Sequence, residues 1–284
     1  MEVDKNLFLY DVAVAAIMKN EGHYIEEWLD YHLLAGVDHF YIYDNDSSDN
    51  QEEILQPYIN KGFVTYKIFP GENNQKAAYH DAVRNFKLQC RYMAFIDGDE
   101  FIYTKNGKSI SEVTDEILLN KKSAGGLCIH WHCFGSNNLE KADYSRGVLE
   151  RFTRRAPDNY EHNSGCKAVT NPRKIKIVTD PHCPSYFEGY HAINEKGDLS
   201  NGHNYPASTE KILINHYCVK SKEEYVTRKI PNGMSDHFIA GVKFRQMDYW
   251  ESHDRNDVFD DEILKYRDNR LDVLNRKGGG GKPS

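Results

Sequence analysis

The chain has 284 residues, a formal net charge of −7, 39% hydrophobic and 12% aromatic residues, enough apolar mass for one sizeable core. The acidic balance excludes a general nucleic-acid binder, so no nucleic-acid partner is expected. No stretch is long and apolar enough to be read as a membrane span. In chain order, residues 11–18 read as a buried strand, ended by Lys19-Asn20-Glu21-Gly22. Tyr24, Ile25, Trp28, Leu29, His32 and Leu33 then recur at helical spacing, with Gly36 as the stop. Residues 39–43 form a second strand that runs into Asp44-Asn45-Asp46-Ser47-Ser48-Asp49. A short helix over 52–59, a strand over 63–69 and a helix over 73–88 follow.

The next stretch is Tyr92-Met-Ala-Phe-Ile-Asp97-Gly98-Asp99-Glu100-Phe101, in which an apolar run leads into three carboxylates. It reads as a buried strand. Strands alternating with helices to this point predict an α/β fold, a mostly parallel, mixed sheet flanked by helices. Further on, a helix is expected over 109–120, opened by Ser111 with Thr114 and Asp115. Strands are expected over 126–131, 148–152, 174–178 and 211–217, and a long loop or small hairpin over 183–210. Ser221-Lys-Glu-Glu224 is a capping box that starts a mainly helical C-terminal stretch. The expected organisation is one α/β domain over 1–219, a helical extension over 220–277 and a flexible Gly-rich tail over 278–284.

The six cysteines (90, 128, 133, 166, 183, 218) are scattered, and no basic leader or cleavage site precedes the first strand. A reducing, cytoplasmic setting is the expectation, with no secretory signal. The basic residues 151–155 and 173–176 read as a face toward an anionic acceptor or the membrane surface, or as a plain solvated face.

Strand ends carry the chemistry. In parallel sheets ligands bind at the carboxyl edge, and here the polar clusters at 19–21, 44–49 and 97–100 all fall on that edge. In extended chain, residues 97 and 99 point to one side, while Glu100 points away. Two same-side carboxylates repel unless a cation lies between them, and hard oxygen donors suit Mg²⁺ or Mn²⁺. The first expectation is a divalent metal that bridges phosphates; the plainer reading is an acidic turn after a core strand.

The order of several motifs resembles the nucleotide-sugar glycosyltransferases of the GT-A fold, in the family 2-like group related to glycosyltransferase family 92. They are Ala16-Ile-Met-Lys-Asn-Glu21 with Glu27-Trp28 and Tyr31-His32, Gly36 through Ser47 with Asp49, Gln75 with Ala78-Tyr79, Phe95 through Phe101, Trp131 with Phe134-Gly-Ser136, and Asn215-His-Tyr217 with Lys220-Ser221 and Glu224. Gly98 stands where that group often carries Asp or Ile. The resemblance implies a metal-dependent, inverting glycosyltransferase with a nucleotide-sugar donor, a UDP-sugar by expectation. The acceptor would be a glycan or lipid-linked glycan, as in polysaccharide or lipopolysaccharide synthesis, with peripheral attachment to a membrane. In that frame Asp97, Asp99 and a late His216 hold Mn²⁺ or Mg²⁺, with His182 as the other histidine candidate. Lys19, Asn20, Glu21, Asp44, Asn45, Gln75, Tyr79, Asp97 and Lys220 line the donor. Asp180, Glu188 and Asp236, and also Glu150, are candidates for the general base. Trp131 and Phe134 offer a platform for a sugar ring, or core packing. Rival readings are a phosphatase of the haloacid dehalogenase type, which also opens on Asp-x-Asp, a nucleotidyltransferase lacking its Gly-rich basic loop, and a non-catalytic sugar- or nucleotide-binding module.

Overall fold

The computed structural model describes residues 7–232 and 246–269. The expected alternation is present: β1 (Tyr10–Met18), α1 (Ile25–Leu34), β2 (His39–Asp44), α2 (Gln51–Asn60), β3 (Val64–Ile68), α3 (Gln75–Phe86) and β4 (Cys90–Phe95). All four strands pair in parallel, in the order β3-β2-β1-β4. Both faces of β1, β2 and β4 are covered, so their side chains are almost wholly buried and the strands read as apolar runs.

The expected strand ends just ahead of its carboxylates, and a second strand starts at Glu100. β4 stops at Phe95, the chain turns over 96–99, and the Glu100 amide closes the turn on the Asp97 carbonyl at 3.1 Å. β5 (Glu100–Thr104) then leaves the parallel block. Helix α4 (Ile110–Leu118) follows, opened by Ser109 and Glu112, which form a reciprocal capping box, rather than by Ser111. Ser111 and Thr114 face inward instead. Gly36, just after α1, has φ +99°, and an added Cβ would sit 2.8 Å from the Ser109 Cβ. Only glycine serves both demands.

β6 (Ala124–Cys133) comes next, and then α5 (Val148–Arg151), where a strand was expected. This single turn starts at the Val148 amide, which donates to the Glu27 carboxylate at 2.5 Å, so a tertiary contact overrides β-propensity. After β7 (Arg154–Arg155) comes β8 (Cys166–Thr170), which no periodicity announced. β8 runs antiparallel to both β4 and β6 and lies between them. β9 (Ile175–Ile177) and β10 (Ser185–Tyr186) form a small ribbon. The expected loop over 183–210 also holds β11 (His191–Ile193), parallel to β6, and β12 (Leu199–Ser200). β13 (Ile212–His216) is parallel to β6 and antiparallel to β5. With two reversals about β8, strands β1, β2, β4, β6 and β13 all point their carboxyl ends to one edge. β8 brings its amino end to that same edge.

The expected C-terminal helical extension is described only over 220–232 and 246–269. Helices α6 (Lys222–Glu224), α7 (Ile230–Asn232) and α8 (Met247–His253) are short, a π-turn spans Tyr225–Lys229, and β14 (Val258–Phe259) pairs with β7. Ile263 is part of the main core. The expected tail lies outside the described residues. Among the described residues no helix is long and apolar enough to cross a membrane, and the six cysteines are free.

Two buried histidines lock the helical and β layers together. In α1 the His32 Nδ1 lies 2.8 Å from the Trp28 carbonyl, and its Nε2 accepts from the Ile102 amide at 3.3 Å. His39 contacts the Gly62 carbonyl at 3.0 Å and the Thr65 hydroxyl at 2.8 Å. Burial pushes them down to about 3 and about 4 respectively. Unfolded, both take up a proton near the ordinary histidine value. The unfolded chain therefore binds more protons below that value, and stability present above about pH 6.5 is lost as the pH falls. Each histidine is expected to remove roughly 2 kcal/mol by pH 5. Urea midpoints compared at pH 7.5 and pH 5 test this; equal midpoints would refute it.

Candidate active site at the carboxyl edge

The turn after β4 places Asp97 and Asp99 at the edge, 35% and 9% exposed at the side chain. Asp97 is fully engaged. One oxygen accepts from Lys167 Nζ at 2.9 Å, and the other from Gln75 Nε2 at 2.5 Å and the Tyr79 hydroxyl at 3.2 Å. Gln75 and Tyr79, one helical turn apart on α3, thus both reach Asp97. Lys167 lies at the amino end of β8 and is 2% exposed. Register explains its reach: Met93 and Ala94 of β4 pair with Thr170 and Val169, so the two chains continue toward the edge side by side. Burial opposes charge on Lys167, yet Asp97 and Glu100 hold its ammonium well above the usual lysine range. Burial likewise pushes the Asp97 carboxyl up, but Lys167 more than offsets it, and the group stays below its ordinary value.

Glu100 does turn away, and it has a role inside. Its Oε2 accepts from the Asp97 amide at 2.9 Å and lies 4.0 Å from Lys167. Burial, with Asp97 and Asp99 nearby, drives its carboxyl well above the usual range. The β5 strand that carries Glu100 is itself clamped to α1: Trp28 Nε1 donates to the Glu100 carbonyl at 2.9 Å and the Tyr31 hydroxyl to the Ile102 carbonyl at 2.8 Å.

Asp99 has different company. Lys229 Nζ donates to its Oδ2, and His216 Nε2 lies 3.8 Å from its Oδ1. Cross-strand pairing brings His216 here, since β13 sets it opposite Glu100 on β5 and Cys133 on β6. The Tyr217 amide also donates to the Asp99 carbonyl at 2.9 Å. Burial pushes His216 down to about 3, so its ring is neutral, and its Nδ1 is buried without a partner. Burial raises the Asp99 carboxyl, but the Lys229 ammonium beside it more than offsets this and holds it well below the carboxylate range.

A divalent cation fits this donor set. A carboxylate and an unprotonated imidazole face one another, and an ammonium already occupies the carboxylate as a cation. Among the described residues no group of three His, Cys, Asp or Glu converges to cage a metal. Asp97, expected as a third ligand, has both oxygens committed to Lys167, Gln75 and Tyr79.

The other residues expected to line the donor hydrogen-bond chiefly to neighbouring loops. Asp44 accepts from the Ser47 amide and Gln51 Nε2, both at 2.8 Å. Asn45 Nδ2 donates to the Phe69 and Gly71 carbonyls at 3.0 and 2.7 Å. Asn20, at φ 57°, donates its backbone amide to the Ser47 hydroxyl at 3.0 Å, and its Oδ1 accepts from the Ser48 amide at 2.7 Å. Asn20 staples the first strand end to the second and Asn45 the second to the third, while Asp44 closes its own loop, so these residues shape the rim. Lys19 is exposed. Glu21 is oriented inward, with its Oε2 buried and unpartnered; burial raises its carboxyl, while Lys220 and Lys229 oppose that rise.

Lys220 is no solvated helix-start lysine. It has φ 57°, is 2% exposed, and lays its ammonium 4.3 Å from the Tyr24 ring centroid. Arg228 lies over the same ring at 5.0 Å and donates to the Asn20 carbonyl. Arg228 and Lys229 had no sequence signal beyond their charge, and Lys167 none beyond a lysine inside a short apolar run.

Trp131 stands at the site with its ring 4.5 Å from that of His216. Gly165 lets it lie there, since a Cβ at that position would meet the ring at 2.2 Å. Phe134 is wholly buried against Tyr217 and belongs to the core, not to a platform. His182 contacts the Cys166 carbonyl at 3.0 Å and packs edge-on against Trp131. The exposed Asp180 orients it by accepting from the His182 amide at 2.7 Å. Glu188 is exposed in the turn after β10, and no described contact ties it to Asp97, Asp99 or His216. Glu150 pairs with Arg146 at 3.1 Å. Asp236 lies outside the described residues. Of the basic stretches, Arg151 is buried rather than solvated, and Arg173 and Lys174 donate to strand-end carbonyls, Cys90 at 2.7 Å and Ala124 at 2.8 Å among them.

The edge therefore defines a class: an α/β protein with paired carboxylates, a neutral histidine and converging cations, a layout suited to a metal and a polyanion. The sequence profile of glycosyltransferase family 92 matches residues 12–257, and the chain belongs to that family. It is similar to family 92 proteins of Ricinus communis, 25% identical over 211 residues, and of Oryza sativa subsp. japonica, 27% identical over 210 residues. Each match covers 73% of this chain, but 35% and 33% of the relative, so the chain spans about a third of their length. A galactan β-1,4-galactosyltransferase of Arabidopsis thaliana is 32% identical over 99 residues, 31% of this chain and 19% of that protein. Among solved structures, S. aureus TarS in complex with UDP aligns at 17% identity and TM-score 0.35, over 49% of this chain and 38% of that one.

Proposed function

We propose that the protein transfers a sugar from a nucleotide-sugar donor, a UDP-sugar, to a hydroxyl of a glycan or glycolipid, with inversion at the anomeric carbon. The observation that carries this reading is the convergence of Asp99, His216, Lys220, Arg228 and Lys229 on one sheet edge in a family 92 chain. As the glycosidic bond breaks, negative charge builds on the departing diphosphate. Lys220 and Arg228 would meet it as fixed charges. Asp99 and His216 would hold Mn²⁺ or Mg²⁺, which supplies Lewis-acid stabilisation of the leaving group. Asp97 keeps Gln75, Tyr79 and Lys167 in place at the donor's side. Trp131 offers a ring face beside them, and the galactosyltransferase relatives make UDP-galactose the first donor to test.

A phosphatase reading needs a free Asp97 carboxylate as nucleophile, and here Lys167, Gln75 and Tyr79 occupy both oxygens. A thermal-shift series of nucleotide sugars with and without Mn²⁺ tests the proposal. A donor at 100 times its Kd adds about 2.7 kcal/mol, which for a domain of this size raises Tm by roughly 5–10 °C. No shift with any nucleotide sugar would overturn the reading.

A further inference from the structure

The cation on Asp99 comes from an unusual piece of backbone. Ser221 and Glu224 form a reciprocal capping box that starts α6. Glu224 is then fixed by Arg151 at 2.8 and 3.0 Å and by the Tyr24 hydroxyl at 2.8 Å. Directly after this anchor the helix widens into the π-turn Tyr225–Lys229. Such turns are rare and concentrate at functional sites. The wide turn aims Arg228 at the Asn20 carbonyl and Lys229 at Asp99, both from the far end of the segment whose near end is pinned.

Asp99 cannot serve two cations equally. Lys229 sits on Oδ2 of the carboxylate whose other oxygen faces His216. A divalent ion held by Asp99 and His216 would lie within a few ångströms of that ammonium, in a site where both side chains are nearly buried, and the repulsion is large there. Lys220 and Arg228 add positive charge on the same side, around the Tyr24 ring. The ammonium is released from this crowding only if an anion arrives with the metal.

We propose that Lys229 is a displaceable counter-ion, which holds Asp99 in the free protein and moves to the donor diphosphate when a divalent cation takes Asp99. The inference rests on the nucleotide-sugar reading above for the identity of the anion, but the exchange at Asp99 does not depend on it. Metal alone must displace Lys229 without compensation and binds weakly. Metal with a nucleoside diphosphate gives Lys229 a new partner, so the two ligands bind with positive coupling, and each raises the other's affinity by the same factor.

Titration calorimetry with MnCl₂ alone, UDP alone, and UDP in saturating MnCl₂ tests this on the wild type, Lys229→Met and Lys229→Arg. Lys222→Met, on an exposed neighbour paired with Glu140, is the control. Lys229→Met is expected to bind Mn²⁺ alone about 5- to 10-fold more tightly and UDP with Mn²⁺ about 10-fold more weakly, so that coupling between them nearly vanishes. Lys229→Arg and Lys222→Met should stay close to the wild type. Mn²⁺ affinity that is unchanged or weaker in Lys229→Met overturns the exchange. If UDP binds none of the proteins while Lys229→Met still gains Mn²⁺ affinity, the exchange stands and the nucleotide-sugar reading falls. Should Lys229→Met not fold, Lys229→Gln makes the same comparison, with melting curves recorded for every variant.

Discussion

Asp99→Asn is expected to lower kcat/KM for sugar transfer by about 10³-fold, the largest catalytic effect of any single change at this edge. The carboxylate faces the neutral His216 at 3.8 Å, and burial makes its charge count for more than it would in water. Asparagine keeps the shape and removes the charge, so the fold should survive while Mn²⁺-dependent UDP binding is lost. The readouts are a UDP-release assay and calorimetry with MnCl₂ and UDP. Unchanged Mn²⁺-dependent nucleotide binding in Asp99→Asn would dismiss Asp99 as the ligand. Asp97→Asn should behave differently. It removes the partner of a buried lysine, so its cost falls on stability as well as on the donor site.

The largest expected loss of stability comes from Glu224→Ala. The Arg151 and Glu224 side chains are 2% and 1% exposed, and they form a bidentate pair. Arg151 ionisation cannot be relieved by losing a proton, so removing Glu224 leaves a buried guanidinium uncompensated. It also strips the Tyr24 hydroxyl and the Ser221 cap of their acceptor. The expected cost is roughly 3–5 kcal/mol, a fall in Tm of about 10 °C or more. Paired replacement, Arg151→Met with Glu224→Leu, should recover part of that loss, because the apolar pair leaves no orphan charge. A single mutant that melts like the wild type would show that the pair contributes nothing net.

Much of the first half was legible because its signals are local. Parallel strands buried on both faces are runs of apolar residues, and the residues that end them are polar, so β1, β2, β4 and the carboxylate edge follow from periodicity. His216 and Lys220 come from the family resemblance, through the motif Asn215-His-Tyr217 with Lys220. What could not be read is what depends on long-range pairing. β8 is five residues with a lysine in second place, and only its two neighbours make it a strand. Lys167 was therefore invisible as the partner of Asp97. Arg151 looked like one of several surface arginines, because nothing near it in the chain announces a glutamate 73 positions later. Asp44 and Asn45 look like ligands in sequence for the same reason that they make good staples: short polar side chains at a strand end hydrogen-bond whatever backbone is close.

The antiparallel β8 also has a kinetic meaning. Until Cys166–Thr170 inserts, β4 has a bare flank of unpaired amides and carbonyls at Met93 and Ala94, just before the turn that carries the aspartates. The closing contact between Lys167 and Asp97 spans 70 residues. Loop-closure entropy for such a span is met before any of its contacts form, which makes this step slow relative to the parallel block. During synthesis, a ribosome-bound chain halted before residue 166 would expose that flank to other chains, and aggregation of such intermediates is the expected failure.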